Sequence, residues 1–366
     1  MTVSTGQTYW FHRHPALTLL ALVLIGCIGA LILAEFAARA LFHVETPRRE
    51  ERIKFWKYDE LLGWSHIPNQ KGRLKHDDSY IQVVNNSQGL RDREYPIERT
   101  EKKRMLVLGD SFGWGFGVEQ NERFSELLEN AHPGWEIINA SVSGYGTAQE
   151  FLFLKERGIA YKPDVVLLLF CDNDFENNIR GDEYWYLKPF FTVEGEKLKL
   201  HNVPVPKASM MQRIDRYLIG TTYLWPRLFG IRNWLNGLLE FFKSAKTNNN
   251  KSPKIQNIIP YSPEARAKIY YDVTNHLIKA MNNLCKGNGS MFILVSVPMN
   301  VEFMQFLQKV AAEERIPYLS LKESFESNTA TTFSSDGHWN QKGHKIAANA
   351  IGEFLRKTGL FKLSKP

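Results

Sequence analysis

Short apolar runs suited to buried strands alternate with longer amphipathic runs suited to helices along most of this chain. Strands are expected at 104–108, 136–139, 164–170, 291–297 and 317–321, and helices at 122–129, 148–157, 263–284, 301–313 and 341–357. That alternation implies βαβ units and a parallel sheet. In an open parallel sheet, sites gather beyond the carboxyl ends of the strands. Asn121 is placed to cap its helix, and Ser262-Pro263 opens the long one.

Three strand ends carry residues with chemical potential. The first strand runs into Gly109-Asp110-Ser111-Phe112-Gly113. A serine there is a nucleophile only if a base can take its proton. Near the C-terminus, Ser335-Asp336-Gly337-His338-Trp339-Asn340 offers a histidine with a carboxylate two residues earlier. Ser111, His338 and Asp336 thus form a candidate triad, defined by roles rather than chain order. His344 is the rival base, but it falls inside the last helix, and Asp110 is expected to shape its turn. Either half taken alone also fits an ordinary turn. Asn139-Ala140-Ser141-Val142-Ser143-Gly144 and Cys171-Asp172-Asn173-Asp174 follow two further strands. They offer a backbone N–H at Gly144 and a side-chain amide at Asn173. Donors of this kind stabilise the oxyanion of ester cleavage, and glycine leaves room for the substrate's approach.

In order and context, Ser111, Gly144, Asn173 and His338 resemble the four sequence blocks of the SGNH (GDSL-type) hydrolase family, over roughly 104–360 with one large interruption. The resemblance implies an α/β, flavodoxin-like three-layer fold with a parallel sheet. It also implies Ser111 as nucleophile, His338 as general base and then acid, and Asp336 as the group orienting it. The oxyanion hole would comprise the N–H groups of Ser111 and Gly144 with the Asn173 amide. Two departures are visible: Cys171 stands where the third block often has glycine, and the last block reads Asp-x-His rather than Asp-x-x-His. Anchored members of the family point to a serine esterase acting on O-acetyl or other short acyl esters of a carbohydrate or cell-envelope polysaccharide. The alternatives are an acyltransferase using the same triad, and a catalytically weak scaffold that binds glycan within a polysaccharide-modifying complex. A binding role would not require Ser111, Asn173, Asp336 and His338 together.

The stretch 16–34 contains no charge, and the apolar run continues past Glu35 to Ala38. A membrane-spanning helix needs roughly 20 apolar residues, whereas the apolar part of a signal peptide is about 7–15. An uncleaved single-pass anchor is therefore expected. Arg13 precedes it, and Arg39, Arg48, Arg49, Arg52 and Lys54 follow it. Charge bias favours a cytoplasmic catalytic domain, whereas the resemblance implies an extracytoplasmic one, on the periplasmic side. The second is the expectation carried forward.

With 366 residues and 43% hydrophobic content, the chain can bury a sizeable core without staples. Cys27, Cys171 and Cys285 are too scattered for a disulfide framework, and no close Cys/His cluster suggests zinc. The net charge of +7 is spread along the chain, without a basic, aromatic-interleaved stripe for nucleic acid. Gly113-Trp114-Gly115-Phe116-Gly117 lacks the spacing of a dinucleotide or phosphate loop. Neither metal nor cofactor is expected, and the expected partners are an ester substrate, the membrane and polysaccharide-biosynthesis proteins.

The organisation read from these features is a tail at 1–15, a transmembrane helix at 16–38, a charged juxtamembrane linker at 39–57, a β extension at 58–100 and an SGNH domain at 101–366. The extension, with a strand, turn and strand in 80–91, would either decorate the sheet's edge or frame one wall of the cleft. The domain carries a helical, aromatic-rich insertion at about 182–259, including an amphipathic helix at 226–246. That insertion reads as a lid, a membrane-surface helix or a packed subdomain.

Overall fold

Val165–Phe170 is an unbroken apolar strand, and all six of its residues are buried. A strand of that kind needs cover on both faces. It is the middle strand of a five-stranded sheet comprising β1 (Lys103–Gly109), β2 (Trp135–Asn139), β3 (Val165–Phe170), β4 (Met291–Ser296) and β5 (Tyr318–Ser320). The order is β2-β1-β3-β4-β5, and every neighbouring pair is parallel. This is the doubly wound, flavodoxin-like order, whose switch point lies between β1 and β3. The computed structural model describes residues 9–42, 51–184, 186–219, 222–228, 230–231 and 263–361.

Two sets of helices each pack among themselves. Phe124–Ala131 lies against Gln341–Lys357, which also meets Lys322–Glu326. Thr147–Glu156, Asn173–Ile179 and Val301–Glu314 gather around the long helix Pro263–Gly287. The sheet between them completes three layers. Among these core elements the ends differ from expectation by a few residues, and one local reading fails. Asn121 does not cap a helix, because it lies inside a 3-10 turn, Gln120–Glu122. The Glu119 N–H there donates to the Glu122 carboxylate at 2.9 Å, and the α-helix begins at Phe124.

The β extension forms two antiparallel hairpins, Trp56–Asp59 with Gly63–His66 and Lys71–His76 with Ser79–Val84. The expected second strand beyond residue 84 is absent. Instead the Asn86 side chain accepts from the N–H groups of Gln88 and Leu90, at 3.0 and 2.9 Å, and turns the chain. Neither hairpin hydrogen-bonds to the main sheet, so the edge-decoration reading is set aside. Arg91 shows where the extension goes. Its buried guanidinium donates to the carbonyls of Trp114, Gly115, Gln82 and Val118 at 2.8–3.1 Å and lies over the Trp114 ring. That fastens the extension to the turn that follows Ser111.

The insertion expected to be helical opens with strands. Asp182–Glu183 pairs with Tyr186–Leu187, and Phe190–Glu194 with Lys197–His201. Consecutive aromatic and β-branched residues favour that choice, and Gly195 turns the second hairpin at φ 63°. Phe190 and Phe191 are buried, and the Tyr186 ring meets Trp56 and Trp64 edge-on. These aromatics are core. A helix follows at Met210–Ile219, and most of the amphipathic helix expected at 226–246 lies outside the described residues.

Residues 1–50 and 209–251 form a unit separate from the rest, 51–208 and 252–366. Its main element is the helix Pro15–Phe42, of 28 residues, which at 1.5 Å per residue is about 42 Å long. Its stretch Pro15–Leu41 is long and apolar enough to cross a membrane. Glu35 interrupts the apolar run and is fully engaged. Its carboxylate accepts the N–H groups of Tyr223 and Leu224 at 2.6 and 2.9 Å and pairs with Arg39 at 2.7 Å.

Candidate active site

Ser111 is the first residue of a single-turn helix directly after β1. The preceding Asp110 shapes that turn, its Oδ1 accepting the Phe112 N–H at 2.9 Å. Heading a helix, the Ser111 N–H has no intrahelical acceptor. Asp110 Oδ2 accepts from the Asn173 side chain at 3.2 Å. An ionised carboxylate only accepts, so this contact fixes which end of the Asn173 amide is NH2 and leaves its second N–H to donate elsewhere.

Asn173 follows β3 and heads the helix Asn173–Ile179. Its loop closes through Asp174, whose carboxylate accepts the Cys171 N–H at 2.9 Å. Cys171 is buried, and burial together with Asp110 and Asp174 raises its thiol well above the ordinary range. A small, neutral side chain thus occupies the position often held by glycine. Asp174 and Glu150 are buried close to one another, and both are pushed well above the usual carboxylate range by burial and by nearby acidic groups.

Gly144 lies in the loop after β2, at φ 83°. A Cβ there would come within 2.6 Å of the Tyr184 ring, so conformation and space both require glycine. The loop is held from several sides. The Asn139 side chain donates to the Gly113 carbonyl at 2.8 Å, and its oxygen accepts the Ser141 N–H at 3.0 Å. Gly113 itself leaves room for Ser141, whose Oγ would lie 2.3 Å from a Cβ there.

His338 arrives on the loop before the last helix. The Phe333 N–H donates to the His338 carbonyl at 2.8 Å, and Asn340 caps the helix by accepting the Gly343 N–H at 3.1 Å. Trp339 is buried against Phe112, Phe124 and Phe325 and anchors the loop. His338 Nε2 lies 2.8 Å from Ser111 Oγ. On the other side of the ring, Nδ1 is 3.0 Å from Asp336 Oδ2. The Asp-x-His spacing has a local reason, since Asp336 Oδ1 also accepts the His338 backbone N–H at 3.0 Å. Burial alone would raise the Asp336 carboxyl, but the His338 ring beside it, with donation from His76 and from the His338 N–H, holds it well below the usual range.

His344 is not at this centre. It is buried, its Nδ1 accepts the Phe124 N–H at 3.4 Å, and burial with Arg123 and Arg91 nearby pushes it down to about 3. The structure therefore brings Ser111, His338 and Asp336 into one chain of contacts. Asn173 joins it through Asp110, and Gly144 stands on the neighbouring loop. One participant escaped the sequence reading: His76, whose Nε2 is 2.9 Å from Asp336 Oδ2. No local spacing links residues 76 and 336. Among the described residues no group of three or more His, Cys, Asp or Glu side chains is arranged to hold a metal ion.

A family profile described as GDSL-like Lipase/Acylhydrolase matches residues 105–351. A search of curated proteins finds no match. Among solved structures, the chain is similar to the psychrotrophic esterase EstA from Pseudoalteromonas sp., at 12% identity over 70% of this chain and 98% of that one, with a TM-score of 0.41. It is also similar to TesA, at 11% identity over 70% and 99% of the two chains, with a TM-score of 0.39. A third is Axe2, an acetyl xylan esterase from Geobacillus stearothermophilus, at 15% identity over 72% and 97%, with a TM-score of 0.38.

Proposed function

This chain belongs to the GDSL-like lipase/acylhydrolase family and is a hydrolase of ester bonds, and we propose that Ser111, His338 and Asp336 are its catalytic triad. The observation that carries the reading is the continuous contact from Ser111 Oγ through the His338 ring to Asp336, at 2.8 and 3.0 Å. His338 Nε2 takes the proton of Ser111 Oγ as that oxygen attacks the ester carbonyl. The negative oxygen of the tetrahedral intermediate is received by the N–H groups of Ser111 and Gly144 and the free N–H of Asn173. His338 then gives its proton to the departing alkoxide, leaving an acyl group on Ser111. A water, deprotonated by the same nitrogen, attacks that acyl-enzyme, and the carboxylic acid leaves with Ser111 restored. Asp336 holds the His338 tautomer and stabilises the imidazolium formed at each stage.

The substrate is, on this reading, an O-acetyl or other short acyl ester of a carbohydrate or envelope polysaccharide. What supports it is the combination of a triad with an N-terminal helix able to anchor it beside the envelope. An extracytoplasmic catalytic domain, 101–366, and association with polysaccharide-biosynthesis proteins belong to the same reading and rest on the family resemblance. Transfer of the acyl group to a sugar hydroxyl instead of water is the alternative chemistry of the same acyl-enzyme.

The test is steady-state hydrolysis of p-nitrophenyl acetate, butyrate and octanoate by the detergent-solubilised full chain, beside Ser111→Ala and His338→Ala. Acetate turnover that both variants lose, with octanoate the poorest substrate, is expected. Activity that survives in Ser111→Ala would overturn the triad, and a preference for octanoate would overturn the short-acyl assignment.

A further inference from the structure

We propose that His76, supplied by the β extension, is a positioning residue that completes a four-membered chain Ser111–His338–Asp336–His76. The proposal rests on the triad reading above and extends it to a residue outside the span of the family match. His76 is 5% exposed and sits at the end of the strand Lys71–His76. Its Nε2 is 2.9 Å from Asp336 Oδ2, the same oxygen that faces His338 Nδ1 at 3.0 Å. An ionised carboxylate only accepts, so the proton of His76 is on Nε2. Nδ1 lies on the other side of the ring. It is buried without a hydrogen-bond partner, and Asp77 Oδ2 lies 3.9 Å away. Burying an unpartnered ring nitrogen is unfavourable, so packing alone gives no reason for a histidine at this place. The contact with Asp336 does.

The ring is also held rather than merely tolerated. Phe116 and Phe333 meet it edge-on, with centroids 5.0 and 4.5 Å away. Gly117 leaves space for it, since a Cβ there would stand 3.0 Å from two His76 ring atoms. Phe116 also packs on His338, at 4.8 Å between centroids. One aromatic cluster therefore fixes both histidines on either side of one carboxylate. Asp336 is about one-third exposed, its side chain at 29%, and a carboxylate on a loop keeps its rotamer only if something restrains it. The His338 N–H restrains Oδ1, and donation from His76 adds a restraint on Oδ2, the oxygen that faces the His338 ring. Around the pair, the titratable groups are Asp336, Asp77 and the buried His344.

The experiment compares His76→Phe, which retains an aromatic ring without a donor, with His76→Gln, whose amide can restore the N–H. Both are measured in the detergent-solubilised full chain with p-nitrophenyl acetate, beside Ser111→Ala. We expect His76→Phe to lower kcat about tenfold, the loss associated with one hydrogen bond to a charged group, with KM within about twofold. His76→Gln should recover kcat to within about threefold of the parent. A residue that merely packs would give the opposite pattern: Phe tolerated, Gln destabilising, and kcat per folded molecule unchanged in both. An unaffected His76→Phe beside an inactive Ser111→Ala would overturn the role of His76 alone. An active Ser111→Ala would overturn the triad and this proposal with it.

Discussion

Trp64 Nε1 donates to the carbonyl of Ser143 at 3.4 Å, across 79 residues of chain. The carbonyl of Trp64 in turn accepts the Tyr145 hydroxyl at 2.5 Å, so one tryptophan of the extension brackets Gly144 from both sides. Its indole stacks on Trp56, at 5.2 Å between centroids. The extension is thus a support for the loop proposed to hold the oxyanion.

Trp64→Phe keeps a ring in that stack and removes the indole donor. We expect kcat to fall severalfold, together with a loss of about 1 kcal/mol in stability, read from ester hydrolysis and urea denaturation. An unchanged kcat would mean that the oxyanion loop holds itself.

Asn173→Ala removes a donor proposed to face the developing charge, and a loss of about 10²–10³ in kcat is the usual size of that effect. Gly144→Ala meets a different obstacle, a left-handed backbone at φ 83° and a clash at 2.6 Å with Tyr184. It should lose activity and about 1–2 kcal/mol of stability together. Kinetics and thermal melting of both variants separate the two causes.

Glu150 is held above its unfolded value first by burial, then by Asp174 and Asp110. Its contribution to stability is therefore complete below the unfolded carboxylate value, near 4.5, and is lost as pH rises toward the folded one. Glu150→Gln, neutral at every pH, should flatten the fall in urea midpoint as pH rises above about 5. An identical pH profile in parent and variant would contradict the buried neutral carboxyl.

Glu35 should act as a clasp within its own unit. Glu35→Ala removes the acceptor of the Tyr223 and Leu224 N–H groups, and trypsin cleavage at Arg213 and Arg227, measured in detergent, should accelerate severalfold. Equal cleavage rates would show that the clasp contributes little.

Much of the architecture was legible in the residues. The apolar runs of β1 and β3 read as strands because burial on both faces leaves no alternating pattern, and the turns that follow announced themselves by composition. Gly-Asp-Ser and Asp-Gly-His were visible because each is a local device. What stayed hidden was whatever depends on long-range packing. Phe190-Phe191-Thr192-Val193 reads as one more aromatic patch of a helical insertion until Lys197–His201 is seen to pair with it. Asn121 looked like a cap because sequence does not show that Glu119 and Glu122 close the turn one step earlier. His76 has no motif, and only the fold brings it to Asp336, 260 residues away.

The most direct test of the central claim is covalent. An alkyl fluorophosphonate, added to the detergent-solubilised full chain, should phosphonylate one serine with release of fluoride, and peptide mass spectrometry should find the adduct on Ser111. His338→Ala should slow that labelling at least about a hundredfold, since the base that activates the serine is gone. A folded chain that takes no label, or takes it on Ser141 or Ser143 instead, would contradict Ser111 as the nucleophile.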